Sequence, residues 1–150
     1  MIAVDTNILV RFLTDDHPTQ GALVRELFRT RKIWVAKTVL LETEWVLRKL
    51  YSLEDAAIRH ALARLLALPS VQAEDAPAVA HALQLAGQGL DFADALHIAS
   101  RPAGATFTTF DRPLLRKAKK AAEPGLSALP IETTNPTKLP PAQPREHPRR

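Results

Sequence analysis

The chain has 150 residues, with 20 Lys+Arg against 16 Asp+Glu and a formal net charge of +4. That length suits one domain with a sizeable core, and the charge is only a weak pointer to nucleic acid. With no cysteine, a disulfide scaffold, a thiolate nucleophile and a Cys-based zinc or iron–sulfur site are excluded.

Along the chain, short apolar runs alternate with helical patterns. Ile2-Ala3-Val4 reads as a buried strand, followed by a helix through Leu13. Pro18 suits the first turn of a second helix that runs to about Arg31. Ile33 to Ala36 is a second strand, and Thr38 is the expected N-cap of a helix carrying Val39, Leu40, Val46, Leu47 and Leu50. Glu54 and Asp55 open another helix, which ends before Pro69. Residues 76–87 form the next, and Asp91 starts one that must stop before Pro102. Thr106 to Phe110 is a β-branched and aromatic strand. Residues 112–120 read as helix and Ala128 to Thr134 as a last strand. Strands separated by helices indicate a parallel α/β sheet with helices on both faces.

Composition changes near residue 123. Seven of the twelve prolines lie in the last 28 residues. From Asn135 the sequence reads NPTKLPPAQPREHPRR, which has too little apolar surface to offset its ordering entropy. The expectation is a 1–134 domain and a disordered, basic 135–150 tail. That tail carries a net +3, so the body before it is nearly neutral. No apolar run approaches the roughly 20 residues that span a bilayer. The first five residues lack the basic n-region of a secretory signal. A cytoplasmic location without membrane attachment is expected.

Chemistry concentrates in carboxylates. Asp5 and Asp111 each follow an apolar strand, at the sheet edge where open α/β folds bind ligands. Either could equally be a helix N-cap. Glu42 has Val39, Trp45 and Val46 as helical neighbours and no Lys or Arg at i±3 or i±4. A buried carboxylate so placed needs compensation, a cation being the simplest candidate; the alternative is a carboxylate at the helix rim that reaches water. Glu44, with Arg48 at i+4, reads as a solvated ion pair. Asp91 and Asp94 stand at the N-cap and N3 positions of their helix, with Asp94 beside the buried stripe. Four acids from four segments, without Cys or a His pair, select Mg²⁺ or Mn²⁺ over zinc. The matching chemistry is metal-assisted phosphoryl or phosphodiester transfer.

These blocks resemble the PIN-domain family. Val4-Asp5-Thr6-Asn7-Ile8-Leu9, Leu41-Glu42-Thr43-Glu44-Trp45-Val46-Leu47-Arg48, Asp91-Phe92-Ala93-Asp94-Ala95-Leu96-His97 and Thr109-Phe110-Asp111-Arg112 match its pattern in order and spacing. The nearest resemblance is to VapC-type ribonuclease toxins of prokaryotic toxin–antitoxin pairs, over about residues 1–134. It implies a three-layer α/β/α fold around a central parallel sheet of about four or five strands. It also implies that Asp5, Glu42, Asp94 and Asp111 hold Mg²⁺ or Mn²⁺, with Asp91 auxiliary and Thr6, Asn7 and Thr109 in support. A homodimer and a cognate antitoxin are implied as partners.

The expected activity is endonucleolytic hydrolysis of RNA by metal-activated water. Basic residues should then ring the acids, the candidates being Arg11, Arg112, Arg116 and Lys117, with Lys119 and Lys120 on a solvated face. Two rivals are a phosphatase or receiver-like α/β protein and a catalytically silent PIN-like binding module. No Asp-x-Asp or phosphate-cradling glycine loop follows the first strand, which disfavours the former.

Overall fold

A computed structural model of the chain describes residues 1–129. The expected 135–150 tail, and the part of the expected last strand beyond Leu129, lie outside the described residues. Among the described residues the order is β1 (Ile2–Ala3), α1 (Thr6–Thr14), α2 (Pro18–Thr30), β2 (Ile33–Val35), α3 (Lys37–Lys49), α4 (Asp55–Leu66), β3 (Val71–Ala73), α5 (Ala76–Gly87), α6 (Phe92–Ala99), β4 (Phe107–Thr109), α7 (Arg112–Lys120) and β5 (Leu126–Ala128). No described helix is long and apolar enough to cross a membrane.

All strand pairs are parallel. β2 lies between β1 and β3, with Ile2 opposite Ile33 and Val35 opposite Ala73. β4 pairs with β5. The expected parallel α/β class, with five strands and helical crossovers, is what the chain forms. The sheet is divided into a three-stranded and a two-stranded ladder. Each strand has only two or three residues, so helix packing carries much of the centre. Leu9, Ile33, Val35, Leu40, Leu47, Ile58, Leu62, Leu65 and Ile98 are almost fully buried there.

Two local expectations are corrected. Thr38 does not cap α3, whose N-cap is Ala36 with no side-chain bond. The helix starts earlier because Glu74, just past β3, accepts the Lys37 N–H through Oε2 at 2.9 Å. β3 itself was not expected from the sequence. Val71-Gln72-Ala73 is too short to show a period, and only its parallel register with β2 makes it a strand.

The helices that carry Asp5 and Glu42 are tied together at their far ends. Tyr51, just after α3, donates its hydroxyl to Asp16 in the α1–α2 loop. Arg11 Nη1 bonds both Asp16 oxygens, at 2.8 and 2.7 Å, and its Nε bonds Gln20 at 3.0 Å. Arg11 is thus tied to Asp16 and Gln20 while 31% of its side chain stays exposed. Hydrogen bonds from Tyr51 and Arg11 hold the Asp16 carboxyl down at about 2, against an ordinary 3.8. Because the folded value is depressed, this contribution to stability is complete above the unfolded value and is lost as pH falls towards 2. Wild type should exceed Asp16→Asn in melting midpoint at pH 6. The gap should close on titration from pH 4 to pH 2, and a gap unchanged at pH 2 would refute the linkage.

Candidate functional site

Leu40 and Leu47, seven residues apart and fully buried, set the phase of α3. Its inner face is Leu40, Thr43, Glu44 and Leu47. Trp45 falls on the other side and is 54% exposed. Glu42 is accordingly exposed, not buried as expected, while Glu44 is buried at 6% exposure. The Glu44–Arg48 ion pair forms as expected, but inside the fold and not in solvent. The sequence reading took Trp45 as a marker of the core face, which rotated the helix the wrong way.

Asp5 is exposed, directly after β1, and caps α1 by accepting the Ile8 N–H through Oδ1 at 3.0 Å. The neighbouring Thr6 is buried and donates its hydroxyl to Glu42 Oε2 at 2.5 Å. Asp5 and Glu42 are thereby brought into one couple through Thr6. Asp111 caps α7, accepting the Leu114 N–H through Oδ1 at 2.8 Å. Its own N–H bonds Thr109 Oγ1 at 3.0 Å, which fixes the turn after β4. Thr6 and Thr109 thus each hydrogen-bond one of the four acids. Asn7 is exposed.

Asp94 is half-buried at the N3 position of α6. Burial raises its carboxyl above the ordinary range, and the negative charges of Asp91 and Asp111 raise it further. His97 and Lys117 pull it back. Asp94 and Asp111 therefore stand near enough to feel each other's charge, a second couple, which Lys117 opposes at Asp94. Asp91 is engaged on both oxygens. Oδ1 accepts the Ala93 N–H at 2.9 Å and Oδ2 pairs with Arg48 at 3.0 Å. Burial pushes the Asp91 carboxyl up, but Arg48 and the Ala93 amide outweigh it and the net direction is downward. The structure gives Asp91 a capping and ion-pairing position at the start of α6.

Among the fourteen described Asp and Glu side chains, Asp15, Asp16, Glu26, Glu44, Asp55, Asp75, Asp91 and Glu123 form ion pairs. The remaining six are Asp5, Glu42, Asp94, Asp111, Glu54 and Glu74. Glu54 is the solvent-facing N-cap of α4, and Glu74 caps α3. The four acids singled out by the sequence are those left without a counter-charge and without a purely structural task. Asp5 and Asp111 each spend one oxygen on a cap and Glu42 one on Thr6, so a second oxygen of each is uncommitted among the described residues.

Such a donor set is all oxygen and suits a hard divalent cation. The acids stand as two couples. Among the described residues, no group of three or more His, Asp or Glu side chains is placed to hold a metal ion. Arg112, Arg116 and Lys117 on α7 are exposed and form no ion pair among the described residues, as are Lys119 and Lys120. They lie on the helix that Asp111 caps.

A search of curated proteins found no match. The PIN domain family model matches residues 2–120, a span that includes all four acids and the parallel strands β1 to β4 that order them. The chain belongs to the PIN domain family, whose members are generally nucleases.

Proposed function

We propose that this protein is a Mg²⁺- or Mn²⁺-dependent endoribonuclease of the VapC type, the toxin half of a type II toxin–antitoxin pair. The observation that carries the reading is the set of four uncompensated carboxylates, Asp5, Glu42, Asp94 and Asp111, on a PIN scaffold. In a domain that pairs most of its acids, four left open at helix starts and on one helix face need a purpose, and a divalent cation supplies it. Asp5, Glu42, Asp94 and Asp111 would hold the ion through oxygens not spent on caps or on Thr6. When bound, the metal would lower the pKa of a water and stabilise charge on the phosphodiester.

The chain's own residues do the rest. Thr6 fixes Glu42 beside Asp5, and Thr109 fixes the turn that presents Asp111. Arg112, Arg116 and Lys117 offer positive charge to the RNA backbone on the helix that Asp111 caps. The working domain extends to residue 134, and the 135–150 tail is assigned no role. A second copy and a cognate antitoxin complete the reading as partners, in the cytoplasm where the RNA is.

Purified protein should cleave a defined single-stranded RNA internally with Mg²⁺ or Mn²⁺ and leave it intact with EDTA. Metal at a hundred times its Kd should also stabilise the fold by about 2.7 kcal/mol, several degrees in melting midpoint. Turnover of a chromogenic phosphate ester without RNA cleavage would favour the phosphatase alternative. RNA left intact with no thermal shift would favour a silent binding module.

A further inference from the structure

Arg48 joins three elements. One side of its guanidinium meets Glu44, whose carboxylate is buried at 6% exposure. Nη1 reaches Asp91 Oδ2 at 3.0 Å, and Nε faces Asp55 Oδ1 at 3.5 Å. Glu44 is two residues from Glu42 on α3, and Asp91 is three residues before Asp94, at the cap of α6. The chain Glu44–Arg48–Asp91 therefore runs from the helix of one acid couple to the helix of the other.

α6 has eight residues, too few to be stable alone, so it relies on the burial of Phe92, Ala95, Leu96 and Ile98 and, at its first turn, on its cap. That cap is the Asp91 Oδ1 bond to the Ala93 N–H, at 2.9 Å. Asp91 can hold this rotamer because its other oxygen is fixed by Arg48, and Arg48 is fixed by the largely buried Glu44 carboxylate. Asp94, in the same first turn, makes no side-chain hydrogen bond among the described residues. Its position follows from the backbone of α6 alone. What holds the cap therefore bears directly on the backbone that carries Asp94.

We propose that Arg48 is a positioning residue: through the Asp91 cap, anchored on buried Glu44, it sets the place of Asp94 relative to Glu42 and so the affinity of the acidic site for divalent metal. This rests on the metal-dependent reading above. Its distinctive content is that the network acts on geometry and not merely on stability.

Arg48→Met alone would strand the buried Glu44 charge and destabilise the fold. The informative variant is Glu44→Met with Arg48→Met, which removes the buried pair together and keeps the side-chain volume. Mn²⁺ affinity, melting midpoint and amide hydrogen exchange are measured on wild type, this double variant, Arg48→Lys and Asp94→Asn. The double variant should melt close to wild type, bind Mn²⁺ about tenfold more weakly, and exchange the Ala93–Ala95 amides faster. Arg48→Lys should recover part of the affinity. Wild-type affinity and protection in the double variant would overturn the positioning role. If wild type and Asp94→Asn bind Mn²⁺ alike, the metal reading itself fails. The Ala93–Ala95 exchange rates would still report whether Arg48 holds the cap.

Discussion

Asp5→Asn is expected to reduce RNA cleavage more than about 100-fold, because loss of a supporting partner alone costs roughly 10–100-fold at a metal site. The melting midpoint should stay within about 2 °C of wild type in metal-free buffer, since Asn caps a helix about as well as Asp. The reason lies in the division of labour at this carboxylate. Oδ1 accepts the Ile8 N–H and closes the start of α1, a bond that an amide oxygen can also accept. The second oxygen and the negative charge have no structural partner among the described residues, so their loss should appear in activity and metal binding only. Asp5→Ala should lose both, and comparison of the two variants separates cap from ligand. Cleavage by Asp5→Asn within a fewfold of wild type would remove Asp5 from the site.

The largest stability effect is expected far from the acids, at Arg101→Met. Arg101 follows α6 and pairs through Nη2 with Glu123 at 2.8 Å. Nη1 also donates to the carbonyl of Ile98, Nη2 to that of Pro124 and Nε to that of Ala105. The Glu123 side chain is only 4% exposed, and its other partner is His81 at 2.9 Å. Removing Arg101 leaves a buried carboxylate with only the partly exposed His81 beside it. Breaking one side of a buried pair costs roughly 3–5 kcal/mol, on the order of 10 °C in a domain of this size. Arg101→Met with Glu123→Met should regain most of that loss, because the charge is removed with its partner. Urea denaturation of the two variants decides the matter: equal destabilisation would mean that the carbonyl bonds, and not the ion pair, are what Arg101 supplies.

The sequence was most legible where one local rule dominated. Pro18 opens α2, and Asp91 caps α6 before Pro102 ends the region. Asp5 and Asp111 follow their strands and begin their helices. In both, the cap and the candidate ligand are one residue, with one oxygen spent on the cap. Legibility failed where tertiary packing chose between faces. α3 is amphipathic on either of two readings, and only the packing of Leu40 and Leu47 turns Glu44 inward and Trp45 outward. Glu42 was thus named for a burial it does not have. The spacing of Glu44 and Arg48 was visible as an i, i+4 pair, but Asp91, forty-three residues away, was not visible as its third member. The partners of Arg11, Asp16 and Gln20, are hidden in the sequence for the same reason, since the α1–α2 turn assembles them.

Asp5 and Asp111 sit at the cap positions of α1 and α7, and Asp94 sits in the first turn of α6. Each therefore faces the positive end of a peptide macrodipole, equivalent to roughly half an elementary charge. Three carboxylates are in this way partly neutralised by backbone that cannot leave and that covers only one oxygen of each capping acid. A lysine or arginine would have quieted the same repulsion and occupied the oxygens as well. Compensation by main chain keeps the acids tolerable to the fold while leaving them exposed as donors.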